Sequence, residues 1–277
     1  MLAYFNGSWV ENKITLPLND RALQFGDGAF ETMIYQNGRI NYLNDHLIRL
    51  KEALLVLNLE LLTFSSTELQ RLVIELLQKN NIHETAKIKI IVWRKSQKQK
   101  AYGSTEREIN QLIVATRCNP IDLRILTRID YSLAIRNFES KISSFKAISS
   151  LSYVVAADEC SQRKLEELII LDTENHLSEC ISSNLFWIKD DKIFTPALST
   201  GCINGILRRQ IIKWGNEINS SVVEVAERAK ILKNADHVFS LNVAGINLFD
   251  SIGSQTYSTK GEILDLVIQK VLDPLGV

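Results

Sequence analysis

The chain has 277 residues, 45% of them hydrophobic, and its 32 Lys and Arg balance its 32 Asp and Glu. That length suits two domains, and the apolar content can supply a sizeable core for each. With no net charge at pH 7, no overall field gathers nucleic acid or an anionic membrane, which argues against polyanion binding but leaves room for a local basic pocket. The four cysteines (Cys118, Cys160, Cys180, Cys202) show no CxxC spacing, so reduced thiols are expected. Four scattered histidines form no metal-ligand pattern, and no metal is expected. The N-terminus lacks a basic segment before an apolar core, and no apolar run approaches bilayer length. The expectation is therefore a soluble, cytoplasmic protein.

In chain order, Ala3 to Asn6 and Trp9-Val10 read as a short strand pair around Gly7-Ser8, and Leu16 to Gln24 as a loop. Ala29 to Gln36 and Arg39 to Leu43 form strands joined at Asn37-Gly38, a strong hairpin signal. Asn44 or Asp45 should cap a helix with Leu47, Leu50, Leu54 and Leu55 on one face. A second helix is expected over Thr67 to Gln78, capped by Ser65 or Ser66. Strands follow at Ala86 to Trp93 and Gln111 to Thr116, separated by the polar run Arg94 to Asn110, which reads as a water-facing loop.

Arg117 to Leu123, with Asn119-Pro120, is the best linker. Beyond it come strands near Leu126 to Leu133, Leu168 to Leu171, Asn184 to Ile188, Lys192 to Phe194, Val222 to Val225 and His237 to Leu241. Helices are expected after Leu151, over Ile206 to Trp214, near Ala226 to Lys233 and over Gly261 to Leu272. Strands and helices mixed in two unequal halves give an α/β or α+β class.

Two isolated charges stand out. Lys146 lies in Ser143-Ser144-Phe145-Lys146-Ala147-Ile148-Ser149-Ser150, which carries no other charge. Apolar surroundings favour a neutral amine, the form a Schiff-base lysine needs. Read alone, it is equally a strand-end lysine reaching water. Thirty-three residues on, Glu179 stands between a turn and the apolar run Asn184-Leu185-Phe186-Trp187, and alone it reads as well as an exposed strand carboxylate. Gly201 and Gly205, among small side chains just ahead of a helix, offer backbone N–H groups to a phosphate, and Asn242 to Gly245 could supply a second cradle. Arg49 could clamp a phosphate bidentately, or be an ordinary helix arginine. No GxGxxG or Walker sequence is present.

Taken in order, several pieces resemble the class IV aminotransferases. They are Asp20-Arg21, Phe25-Gly26-Asp27-Gly28 with Phe30-Glu31, His46 with Arg49-Leu50, Lys146, Ser178-Glu179 with Ser183-Asn184-Leu185-Phe186-Trp187, and Gly201 with Gly205-Ile206. These fold-type IV enzymes use pyridoxal 5'-phosphate and include branched-chain and D-amino-acid aminotransferases and 4-amino-4-deoxychorismate lyase. The resemblance implies a small N-terminal α/β domain (1–116), a linker (117–123) and a larger, mixed-sheet, barrel-like cofactor domain (124–277). It gives Lys146 the Schiff-base role and sets Glu179 against the pyridine nitrogen. Arg49, the N–H groups of Ile206 and Leu207, and those near Asn242 and Val243 would hold the phosphate, and Ile203 would pack on the ring. The family often has threonine where Leu207 stands. Glu31 and Thr32 would line the substrate pocket.

Gln24 to Gly28, Glu179-Cys180 and Asn204-Gly205-Ile206 look most like the lyases, which implies conversion of 4-amino-4-deoxychorismate to 4-aminobenzoate and pyruvate on the folate route. The Arg-X-His pair of D-amino-acid aminotransferases is missing from Arg94 to Tyr102, but so is the lyases' glycine-rich loop, and Ser149 replaces a common asparagine. The alternative is an aminotransferase acting on branched-chain or D-amino acids with 2-oxoglutarate. A silent binding relative is disfavoured because Lys146 and Glu179 are intact. The family also implies a homodimer and a small amino substrate.

Overall fold

The strand pair at the start is Leu2–Phe5 (β1) and Ser8–Glu11 (β2), antiparallel with Phe5 opposite Ser8. The computed structural model describes residues 1–96, 101–217 and 221–272. Contacts group the chain into two units, Met1–Pro120 with Phe145–Ser149, and Ile121–Ser144 with Ser150–Val277. The division at Pro120 falls inside the segment read as a linker, whereas Phe145–Ser149, read as part of the second domain, groups with the first.

The first unit continues with Arg21–Phe25 (α1), Gly28–Gln36 (β3), Arg39–Ile40 (β4), Leu43–Val56 (α2), Ser66–Lys79 (α3), Ala86–Arg94 (β5) and Ile109–Arg117 (β6). Its sheet runs β2-β1-β6-β5-β3-β4, each neighbouring pair antiparallel. Strand alternation puts Ala29 and Met33 of β3 and Ile88, Ile90 and Val92 of β5 on one face, where they join the buried side chains of α2 and α3 in one core. In α3 the buried residues Leu69, Val73, Leu76 and Leu77 fall at helical spacing, and Ser65 with Glu68 closes a capping box.

Three readings of this unit are corrected. Asp20 caps α1, accepting from the N–H groups of Ala22 and Leu23, where a loop was expected. Helix α2 starts at Leu43 with no side-chain cap. Its buried stripe is His46, Arg49, Leu50, Ala53 and Leu54, while Leu55 is 59% exposed. The stripe is turned because a buried carboxylate on the sheet draws the two basic side chains inward.

The second unit comprises Asp122–Leu126 (β7), Ile129–Asn137 (β8), Leu151–Gln162 (α4), Glu167–Asp172 (β9), Leu177–Cys180 (β10), Asn184–Lys189 (β11), Lys192–Pro196 (β12), Ile206–Glu217 (α5), Val222–Val225 (β13), His237–Asn242 (β14), Gly245–Phe249 (β15) and Glu262–Leu272 (α6). The single strand expected near Leu126 to Leu133 is thus two, and the helix expected over Ala226 to Lys233 is a 3-10 turn over Ala229–Asn234. A three-stranded sheet, β10-β9-β8, and a six-stranded one, β13-β12-β11-β14-β15-β7, mix parallel and antiparallel pairs. One core joins them: Ile169 and Leu171 of β9, Leu177 and Cys180 of β10, Leu185 and Trp187 of β11, and Val238 and Phe249. Every residue of β9 and β10 is buried, which explains the continuous apolar text of β9.

Candidate active site

Lys146 lies on an extended segment that pairs with β3. The Phe30 N–H donates to the Lys146 carbonyl (2.9 Å), the Ile148 N–H donates to the Gly28 carbonyl (3.0 Å), and Ala29 and Ala147 form an antiparallel bridge. Phe145 and Ala147 pack into the first unit's core, so alternation turns the intervening Lys146 side chain to the opposite face. There its Nζ stands 5.6 Å from the centre of the Phe30 ring. Gly28 makes this pairing possible: a Cβ on it would lie 2.7 Å from Ile148 Cδ1 and 2.2 Å from the Val92 carbonyl oxygen.

Glu31 and Thr32 separate in the same strand. Thr32 shares the Phe30 face, while Glu31, 2% exposed, points to the helices. Arg49 grips Glu31 bidentately (Nε to Oε1 and Nη2 to Oε2, both 2.7 Å), and His46 Nδ1 lies 2.6 Å from Oε2. Burial pushes the Glu31 carboxyl up, but the Arg49 charge, its hydrogen bonds and His46 outweigh burial and hold it at about 2. Glu31, expected as a pocket wall, is instead a partner of Arg49. Arg49 in turn is not an exposed helix arginine: it is 2% exposed with its guanidinium fixed in plane.

Glu179 is the focus of the second unit. It is 3% exposed, and three donors meet its carboxylate: the Tyr153 hydroxyl on Oε1 (2.6 Å), the Asn137 amide on Oε1 (3.1 Å) and the Ile203 N–H on Oε2 (3.1 Å). That pattern suits an ionised, acceptor-only carboxylate. Burial, then the neighbouring Glu179 charge, drives the Tyr153 hydroxyl far above its ordinary pKa, so it stays a donor. The exposed-strand reading of Glu179 is thereby excluded.

Three turns are sewn together beside it. Asn184 opens β11, pairs with Leu241 of β14, and donates from Nδ2 to the Ile203 carbonyl (2.7 Å). Asn242 donates to the Ser182 carbonyl (3.0 Å) and accepts from the Ala244 N–H (2.8 Å), shaping the β14–β15 hairpin that carries Val243. Helix α5 begins at Ile206, and a Cβ on the preceding Gly205 would lie 1.9 Å from Asn184 Oδ1. The structure thus brings Ile203, Ile206, Leu207, Asn242 and Val243 around one end of β11 and β14. Leu207 is 3% exposed and offers only its backbone N–H where a threonine would add a hydroxyl.

Arg94, read as the start of a water-facing loop, is 8% exposed. It donates to Asp27 (Nε to Oδ2, 2.8 Å) and to the carbonyls of Leu57 and Glu106, and Arg21 shares Asp27. This arginine pins loops together. Residues 97–100 of the same basic run lie outside the described residues. Sequence reasoning missed Tyr153, Asn137 and the Asn184 stitch, which carry no local signal. It could have found the His46–Arg49 pair, since an i, i+3 spacing shares a helix face. Among the described residues no group of His, Cys, Asp or Glu could hold a metal, and no helix is long and apolar enough to cross a membrane.

Comparison with known proteins agrees with this geometry. The family model described as amino-transferase class IV matches residues 28–246. An aminodeoxychorismate lyase of Vibrio harveyi is 24% identical over 232 residues, covering 82% of this chain and 83% of that protein. A D-alanine aminotransferase of Listeria monocytogenes is 27% identical over 242 residues, covering 86% and 83%. The branched-chain aminotransferase of Thermoproteus uzoniensis superposes with a TM-score of 0.86 at 22% identity, over 99% of this chain and 96% of that one.

Proposed function

Because the chain belongs to the class IV aminotransferase family, whose members depend on pyridoxal 5'-phosphate, we propose that it is the lyase that splits 4-amino-4-deoxychorismate into 4-aminobenzoate and pyruvate. The residues present fit the cofactor. Lys146 is held on the face of β3 away from the core, Glu179 is an acceptor-only carboxylate, and the start of α5 follows a glycine turn with no room for a side chain. When bound, pyridoxal phosphate supplies an electron sink for the charge left on the amine-bearing carbon.

The chain's own residues do the rest. Glu179 keeps a proton on the pyridine nitrogen, while Tyr153, Asn137 and the Ile203 N–H hold its carboxylate in one orientation. The N–H groups of Ile206 and Leu207, the turn at Asn242 and Val243, and Arg49 take the phosphate. Arg49 is kept flat for this by Glu31. The Lys146 amine, set free when the substrate amine takes its place, removes the proton from the amine-bearing carbon. The C–O bond to the enolpyruvyl group then breaks, the ring becomes aromatic, and Lys146 returns the proton to the departing pyruvate. Phe30 shields the amine from water on one side, and Thr32 shares that wall.

The observation that carries the reading is the placement of Lys146 on the Phe30 face within text that resembles the lyases at Gln24 to Gly28, Glu179-Cys180 and Asn204 to Ile206. A second reading, an aminotransferase with the same groups, is favoured by the likeness to the D-alanine aminotransferase. The test supplies purified protein with 4-amino-4-deoxychorismate alone, and separately with branched-chain or D-amino acids plus 2-oxoglutarate. Release of 4-aminobenzoate without a keto-acid acceptor supports the lyase; glutamate formation alone overturns it in favour of the aminotransferase.

A further inference from the structure

A second lysine shares the ring that flanks Lys146. Lys89 sits on β5 directly opposite Thr32. Its neighbours Ile88 and Ile90 are buried in the core, so its side chain rises on the opposite face, with Phe30 and Thr32. Lys89 Nζ lies 4.4 Å from the centre of the Phe30 ring, and Lys146 Nζ lies 5.6 Å from the same centre. Lys89 is half-buried, and among the described residues no carboxylate pairs with it. The ring face compensates a partly desolvated ammonium only in part. A cation in this position, on a flexible stem and next to the reacting amine, is matched by a carboxylate arriving from solution.

We propose that Lys89 is a substrate-binding residue whose ammonium takes a carboxylate of the molecule on which Lys146 acts. The inference rests on Lys146 being the reacting lysine and, in taking that molecule to be a ring-bearing dicarboxylate, on the lyase reading. It assigns to β5 a recognition role that the sequence reading placed in the 94–102 loop. Lys87, exposed two residues earlier on the same face and opposite Ile34, is the internal control.

The experiment uses the cofactor-loaded protein and the variants Lys89→Met, Lys89→Gln and Lys87→Met. Binding of 4-aminobenzoate is read from its perturbation of the cofactor absorbance, which needs no turnover, and KM and kcat are read with 4-amino-4-deoxychorismate. Loss of one charge-assisted contact should weaken 4-aminobenzoate binding and raise KM by about tenfold or more, with kcat changed far less. Lys87→Met should behave as wild type. A Lys89→Gln protein that loads cofactor, binds 4-aminobenzoate as wild type does and keeps its KM overturns the proposal; this variant also decides the matter should Lys89→Met disturb the fold. If the wild type binds 4-aminobenzoate but turns over no deoxychorismate, the lyase reading alone falls, and the absorbance titration still judges Lys89.

Discussion

Two buried carboxylates, one in each unit, differ because their neighbours differ. Glu31 is matched by Arg49 and His46 and titrates at about 2. Its folded pKa lies below the ordinary 4.5, so its contribution is complete above that value and is lost as pH falls through about 2. Replacing it strands a buried guanidinium. Glu31→Gln should cost roughly 3–5 kcal/mol in urea unfolding at pH 7 and weaken cofactor retention through Arg49. Glu167, 5% exposed, accepts only from the N–H groups of Leu168 and Ile181, and burial raises it to about 7. Here the folded chain holds a proton that the unfolded chain has released, so stability falls as pH rises from about 4.5 to 7. Glu167→Gln keeps both acceptor contacts without the charge. It should flatten that slope and stabilise the protein by up to about 3 kcal/mol at pH 8, with little effect at pH 4, as read from urea midpoints at the two pH values.

At the scale of elements, function depends on where strands and helices end. The turn before α5 meets the ends of β11 and β14, and Asn184 ties the Ile203 carbonyl to that edge. Gly205→Ala would drive a methyl into the Asn184 side chain. We expect the cofactor to dissociate at least tenfold more readily, measured by its absorbance after dialysis, while the core strands remain folded by circular dichroism. The apolar spacing of α3 and its Ser65–Glu68 capping box were legible in the text, because both signals are local. The start of α2 was not. No side chain caps it, and its buried face is set by Glu31 on a strand rather than by its own leucines.

Over the whole molecule, cofactor and fold are linked by mass action. A ligand that binds only the folded chain stabilises it by about 2.7 kcal/mol at a hundred times its Kd. For a chain of this size that should raise Tm by roughly 5–10 °C in thermal scans with and without pyridoxal phosphate. Lys146→Ala should lose most of this shift, together with the absorbance that borohydride fixes on the wild type. An unchanged shift in that variant would place the cofactor's attachment elsewhere.

By itself the sequence determined the family, the cofactor and the order of its contacts, since Phe25 to Glu31, Lys146, Glu179 and Gly205-Ile206 are short runs whose residue types are readable without a partner. It also determined most strands and helices, because hydrophobic period is local. Only the tertiary structure decided which way the side chains turn and what they meet. Alternation gives a strand two faces but does not say which one the helices cover, so Lys146 away from the core and Glu31 within it required the packed sheet. Tyr153 and Asn137 reach Glu179 across 26 and 42 residues of chain. No periodicity extends over such distances, and partners that far apart are chosen only when the core closes.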